Sequence, residues 1–342
     1  MNPTTPASQT SQAAQPATLP ARAAVVGAGT IGLSWVRLLA DHGITVRVTD
    51  PRADLTEALD RAFDGTDDTV NSDATSVART RVSAAEDVEA AVADADLVIE
   101  AGPERLPFKQ ELFARIAAAA PAQALLTTST SGILPTDIAR DLPDDVAARL
   151  FVAHPFNPPH VLPLVEIVPG ERTAPEALAR AMDVFTALGK EPVLERREIT
   201  GFIANRLQAA ILRESFWLVQ QGYASATDLD RIVTASLGPR WAVHGPLASF
   251  HLGGGAGGVR HMLEHLGADM LVRWDTSATP DLAPEAVAPI VDELEQAWPL
   301  GRFAATTAAR DAAQRAVITA RDATGTTGNT AATDLHQSEE DA

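Results

Sequence analysis

Residues 22–50, RAAVVGAGTIGLSWVRLLADHGITVRVTD, leave this chain few folds to choose from. A short apolar run enters a turn in which Gly27, Gly29 and Gly32 have the spacing G-x-G-x-x-G. A helical pattern opens at the turn, and a second strand-like run ends in Asp50, eighteen residues after Gly32. In such a unit the first glycine permits the tight turn. The second lets backbone approach a pyrophosphate, and the third lets the helix pack on the strand. The helix N-terminus then turns its free N–H groups and positive dipole end towards the phosphates. Gly27, Gly29, Thr30, Ile31 and Gly32 are the expected cofactor contacts. Asp50 is expected to accept hydrogen bonds from a ribose diol and to repel a 2′-phosphate, which favours NAD over NADP. Arg52 points the other way, since a guanidinium can hold that phosphate. The competing readings are a turn that only stabilises the fold, or a loop for another nucleotide-like ligand.

Further along, DADLVIEAG, ALLTTSTSG, LFVAH, LVEIV and EPVLE read as strands, with PFKQELFARIAAAA and APEALARAMDVFTALG as helices among them. This alternation predicts an α/β Rossmann-type domain with a mostly parallel sheet over residues 22–198. After that the chain reads as helices alone: FIANRLQAAILRESFWLVQQG, SATDLDRIVTASLG, residues 259–275 and PEAVAPIVDELEQAW. An all-α C-terminal domain is therefore expected over 199–321. Residues 1–21 and 322–342 read as a disordered leader and a disordered acidic tail.

At 342 residues and 46% hydrophobic, the chain has material for two cores. Its 27 basic and 45 acidic residues give a net charge of −18, which opposes nucleic acid and anionic membranes and does not help polyanionic ligands bind. The absence of cysteine excludes disulfides, thiolate zinc sites and cysteine nucleophiles. No apolar run is long enough to cross a bilayer, and the first residues lack the basic start and apolar stretch of a secretory signal. The expected setting is cytoplasmic.

The stretch HPFNPPHVLPLVEIVPG, residues 154–170, carries the chemistry. Glu166 sits inside the apolar run LVEIV, where burial is expected, and a buried carboxylate without a partner is expensive. His154 ends the preceding strand. If the proline-rich loop brings the two side by side, the carboxylate fixes the tautomer of the ring and stabilises the imidazolium. The other ring nitrogen is then free to take a proton from an alcohol. Oxidation of a secondary alcohol needs that base and a hydride acceptor, which a nicotinamide supplies.

With these motifs in hand, the chain resembles the 3-hydroxyacyl-CoA dehydrogenase superfamily over roughly residues 22–275. The resemblance rests on GAGTIG, IEAGPERLPFKQELF, TTSTSGILPTDIA, AHPFNPPHVLPLVEIVPG and GFIANRLQAAILRE, in that order. It implies that His154 is the acid/base and Glu166 its orienting partner. It implies that Ser131 and Asn205 hydrogen-bond the reacting oxygen or the histidine, and that Glu104 and Lys109 line the nicotinamide ribose side. Each also has a plain reading: Ser131 as a turn cap, Asn205 bonded within its own helix turn, Glu104 at a helix start, Lys109 solvated. One departure stands out. Residues 54–81, where members that use CoA thioesters tend to be lysine-rich, are acidic and contain no lysine. STSGILP, HPFNPPHVLPLVE and LGPRWAVHGPL look like the branch acting on free hydroxy acids, the L-gulonate 3-dehydrogenases and carnitine dehydrogenases. The expected activity is thus NAD-dependent oxidation of the 3-hydroxyl of a small free acid, or reduction of the 3-oxo acid. The alternatives are the same chemistry on a CoA or carrier-bound acyl group, and an NAD-binding structural protein of the crystallin kind.

A free acid needs a carboxylate partner, and Arg240, in the Gly/Pro-rich segment LGPRWAVHGP, is the candidate; the alternative is a surface salt bridge. The glycine-rich segment 253–258 is expected to be a flexible loop that closes over substrate or crosses a subunit interface. His261, Glu264 and His265 spell H-x-x-E-H, a zinc-peptidase string, here read as coincidence with no metal expected. The apolar helical faces around Phe216, Trp217 and Leu218 suggest a homodimer.

Overall fold

The computed structural model describes residues 19–63, 72–276 and 279–324. Most of the expected leader and tail, and the middle of the acidic segment 54–81, lie outside the described residues. Two compact units divide at Phe202 and Ile203.

The first unit is built on one eight-stranded sheet. Its strands are β1 (Arg22–Val26), β2 (Thr45–Thr49), β3 (Val82–Ala84), β4 (Leu97–Glu100), β5 (Leu125–Thr128), β6 (Leu150–Pro155), β7 (Leu164–Pro169) and β8 (Glu191–Leu194). Its helices are α1 (Thr30–Asp41), α2 (Leu55–Phe63), α3 (Ser72–Arg79), α4 (Val88–Val92), α5 (Leu106–Ala119), the short α6 (Pro135–Ile138) and α7 (Asp144–Ala147), and α8 (Pro175–Ala187). The strand order is β3-β2-β1-β4-β5-β6-β7-β8, and only β6 and β7 pair antiparallel. The central strands β4 and β5 are buried throughout, as expected for apolar runs covered on both faces. One core packs Trp35, Leu39, Phe151 and Phe185 on one side of the sheet; a second packs Leu112, Phe113, Ile116 and Leu142 on the other. Strand order reverses between β1 and β4, and a doubly wound sheet binds ligands at the carboxyl ends of its strands at such a switch point.

The second unit is helical in all its described elements: α9 (Ile203–Gln220), α10 (Ala226–Ala235), α11 (Leu237–Val243), α12 (Pro246–Gly253), α13 (Gly258–Thr276), α14 (Pro284–Ala297) and α15 (Phe303–Ala323), with short 3-10 turns at Gly255–Gly257 and Leu300–Arg302. The helices α11, α12 and α15, and the glycine-rich segment, depart from the expected elements. α11 occupies the segment read as Gly/Pro-rich, and α15 arises from an Ala/Thr-rich stretch whose apolar residues form no clear stripe. The glycine-rich segment is not an open loop but the tight turn that joins α12 to α13. A Cβ on Gly254 would lie 1.9 Å from the carbonyl oxygen of Gly258. Gly258 itself has φ +59°, and a Cβ there would lie 2.6 Å from the ring of His251. These glycines serve close approach of backbone and ring.

Candidate active site

Each glycine of the first turn does a different job. Gly27 adopts φ +108°, and a Cβ there would lie 2.5 Å from the carbonyl oxygen of Ala101, on the neighbouring β4 side of the switch point. A Cβ on Gly32 would lie 1.9 Å from the carbonyl oxygen of Gly27, so α1 can approach the turn only without a side chain. At Gly29 a Cβ would meet nothing within 4 Å. This exposed gap, at the N-terminus of a twelve-residue helix, suits a diphosphate. Thr30 is exposed at the same helix start, whereas Ile31 is half-buried and packs against the core. Asp50 accepts hydrogen bonds from Ala28 N at 2.7 Å and Arg52 N at 2.9 Å, one on each oxygen. A carboxylate retains acceptor capacity beyond two bonds, so ribose hydroxyls can still be held. Arg52 is committed elsewhere: it forks onto Asp54 at 2.8 and 3.0 Å and donates to Ala28 O. Those bonds, with a further one from Arg61, hold the Asp54 carboxyl well below the usual carboxylate range. The residues present therefore fit NAD.

At the ends of β4 and β5 lies a network that sequence reasoning found only in part. Glu100 is fully buried and bonds Lys109 Nζ at 2.7 and 2.8 Å, with Thr128 Oγ1 and Gly102 N as further donors. A buried ion pair is tolerated when its spare lone pairs are satisfied in this way; removing one partner costs about 3–5 kcal/mol. Lys109 is 1% exposed, with Glu104 3.7 Å away. The structure thus sets Lys109 behind Glu104 rather than on an open surface. Glu104 is exposed and accepts from Thr130 Oγ1 and, at 3.0 Å, from Ser131 N. Ser131 is exposed beside it. Trp35, buried on α1, donates to Ser129 Oγ at 3.0 Å and ties the same loop to the glycine turn's helix.

The antiparallel register of β6 and β7 sets His154 directly opposite Glu166. His154 Nδ1 and Glu166 Oε2 are 2.8 Å apart, at 6% and 3% exposure. Opposed residues in an antiparallel pair share a sheet face, as do residues two apart. Val152 and Val168 are likewise opposed, so they extend the same face. Phe202 covers it: its side chain is fully buried against both valines, and its ring lies 5.4 Å from that of His154. Phe202 has φ +50°, a left-handed conformation that costs a non-glycine residue about 1–2 kcal/mol, next to Gly201 at φ +79°. Phe156 meets the imidazole edge-on at 6.3 Å from another side. The histidine is therefore buried and oriented, with one nitrogen committed to a carboxylate.

The second unit carries the remaining candidates. Asn205 lies half-buried in the first turn of α9. Arg240 lies exposed on α11, and among the described residues its guanidinium has no partner. The ligating atoms of His261, Glu264 and His265 lie within 4.8 Å of one another on α13, all three exposed. His265 Nδ1 bonds the carbonyl of His261 at 2.9 Å, as helix neighbours four apart do.

Residues 22–199 match the 3-hydroxyacyl-CoA dehydrogenase NAD binding domain, and residues 201–282 match the C-terminal domain of 3-hydroxyacyl-CoA dehydrogenase. The chain is 40% identical over 309 residues to an L-carnitine dehydrogenase of Streptomyces coelicolor, covering 90% of this chain and 96% of that one. It is 36% identical over 271 residues to an L-carnitine dehydrogenase of a Pseudomonas species, covering 79% and 84%. Among solved structures, 5-formyl-3-hydroxy-2-methylpyridine 4-carboxylic acid 5-dehydrogenase, an NAD+-dependent dismutase, superposes with a TM-score of 0.66 at 27% identity, covering 87% of this chain and 97% of that one. The 3-hydroxybutyryl-CoA dehydrogenase of Escherichia coli K12 gives 0.55 at 35% identity, covering 61% and 44%.

Gly29 and Gly32 separate experimentally. Gly29→Ala should leave the melting temperature unchanged and weaken NADH binding at least tenfold by fluorescence titration. Gly32→Ala should lower the melting temperature as well, because its Cβ meets backbone. Equal behaviour of the two variants contradicts the division of roles.

Proposed function

The chain belongs to the 3-hydroxyacyl-CoA dehydrogenase family, and from that premise we propose that it oxidises the 3-hydroxyl of a small free hydroxy acid, L-carnitine being the first substrate to test. It is an NAD-dependent oxidoreductase acting on CH–OH. The observation that carries the proposal is the buried pair of His154 and Glu166 at 2.8 Å. In the oxidising direction the ring nitrogen opposite Glu166 takes the hydroxyl proton, and Glu166 stabilises the resulting imidazolium. NAD, when bound, supplies the hydride acceptor. Gly29, Thr30 and Asp50 are proposed to hold its diphosphate and ribose, with Glu104 on the nicotinamide side and Lys109 supporting Glu104. Ser131 and Asn205 are proposed to hydrogen-bond the reacting oxygen, and Arg240 to pair with the substrate carboxylate.

A free acid is preferred to a CoA ester on charge. A chain of net charge −18 favours a small substrate with a cationic group over a polyanionic nucleotide ester. The likeness to a 3-hydroxybutyryl-CoA dehydrogenase supports the ester as the second reading. A homodimer belongs to the same proposal. α9 has no buried residue, and Ile203, Leu207 and Ile211, four apart, are 49%, 54% and 42% exposed. Such a stripe is the surface a second copy covers. Among the described residues no helix is long and apolar enough to cross a membrane, and a cytoplasmic setting is part of the proposal.

Two measurements test this. NADH formation from L-carnitine, L-gulonate or 3-hydroxybutyrate should be seen, and should fall by about 10²–10⁴-fold in His154→Ala. Turnover of 3-hydroxybutyryl-CoA alone would overturn the free-acid reading. No turnover despite tight NADH binding would favour a non-catalytic role. Light scattering should give twice the 36.0 kDa chain mass, and Leu207→Glu should shift it towards the monomer; a monomeric wild type contradicts the dimer.

A further inference from the structure

Lys190 is a buried cation that the chemistry above does not use. It stands where α8 ends, and the sequence sets it there with little freedom. Gly189 adopts φ +70° and donates from its N–H to Thr186 O at 2.9 Å, while Lys190 N donates to Phe185 O at 3.0 Å. These two bonds and the left-handed glycine form a Schellman helix end, which aims the next residue back across the helix terminus. The Lys190 side chain is 9% exposed, and its ammonium donates to the carbonyls of Pro159 and, at 3.3 Å, Leu162. No carboxylate pairs with it among the described residues.

Both carbonyls belong to residues 156–163, the loop joining the strand of His154 to the strand of Glu166. Pro158, Pro159 and Pro163 remove three N–H donors from that loop, so it has few ways of tying its own carbonyls. Val161 N and Leu162 N both go to Pro158 O, each at 3.0 Å. The carbonyl of Pro163 is taken by Glu191 N at 2.9 Å. Residues 190 and 191 thus hold three successive anchor points of the loop from outside it. The same loop carries Phe156, whose ring meets that of His154. A neutral side chain would bury at less cost. Burial alone pushes the Lys190 ammonium down to about 8, the mark of a charge desolvated without a counterion. What offsets that cost is donation to two backbone carbonyls, those of Pro159 and Leu162.

We propose that Lys190 is a positioning residue for catalysis: through the carbonyls of Pro159 and Leu162 it fixes the loop that packs Phe156 against the His154 ring. The proposal rests on the assignment of His154 as the proton acceptor. It places no role in cofactor binding on Lys190.

The test compares wild type, Lys190→Met and Lys190→Arg. Lys190→Met keeps the apolar stem and removes every side-chain donor. Its kcat should fall about 10²-fold, the scale of a small misplacement of a catalytic group. Its dissociation constant for NADH should stay within twofold of wild type. Hydrogen exchange of the peptide spanning 156–163 should accelerate, with the peptides of β1 and α1 unchanged. Lys190→Arg, which retains a buried cation with several donors, should recover part of the kcat. An unchanged kcat in Lys190→Met overturns the positioning role, even if loop exchange accelerates. A loss of NADH affinity in step with kcat also overturns it, since that marks general damage. If wild type turns over none of the substrates, the assignment of His154 fails instead. Loop exchange then decides the clamp alone: acceleration supports it and no change refutes it.

Discussion

A carboxylate at 3% exposure survives in a protein interior only if something holds its charge or its proton, and for Glu166 that something is His154, 2.8 Å away. The arrangement depends on the one antiparallel pairing in an otherwise parallel sheet. A parallel crossover after β6 would run the next strand the same way and could not bring its opening residues back against the end of β6 through a short loop. The reversal sets the end of β6 against the start of β7 at the carboxyl edge of the sheet, the edge where Gly27 and Glu100 also lie. The pair, the glycine turn and the Ser131 loop thereby occupy one edge of one sheet.

Two buried acids stand at that edge, and their partners differ in kind. Glu100 is paired with Lys109, and the pair stands as a strut under Glu104 and the Ser131 loop. Glu166 is paired with an imidazole, a ring that can both accept and donate a proton. The first pair holds geometry, and the second is the one proposed to move a proton. Lys109 reads as a cofactor contact by resemblance and yet lies buried, 3.7 Å from the exposed Glu104. Lys190 adds a third device, a cation that holds backbone rather than a side chain.

Much of this was legible in one dimension, for reasons that can be named. Apolar runs marked the strands, and glycine spacing marked the turn because each missing Cβ has a distinct steric consequence. Glu166 stood out as an acid inside an apolar run. Glu100 has nearly the same signature in DLVIEAG, but it ends its strand, where an acid can face water, and Lys109 nine residues on reads as a cofactor contact or a solvated helix residue, not as its buried partner. Thr130 and Phe202 were missed because a hydroxyl in a polar turn, and an aromatic at a helix start, have many ordinary roles. Lys190 was invisible because its partners are carbonyls, which every residue has. The segment 253–258 reads in sequence as a loop and is a short turn in the structure, for a simple reason. Glycine content is the same for a mobile loop and for a tight turn, and only the space around each absent Cβ distinguishes them.

The central claim is that His154 and Glu166 act as one unit in proton transfer, and a double-mutant cycle on kcat measures that most directly. His154→Ala, Glu166→Gln and the double variant would be compared with wild type on the best substrate, with NADH affinity and melting temperature as controls. If the pair is a unit, Glu166→Gln alone costs about 10²-fold or more, and the double variant is no slower than His154→Ala. Losses that multiply, with each residue contributing independently, would contradict the account and reduce Glu166 to a buried acid that merely found a partner.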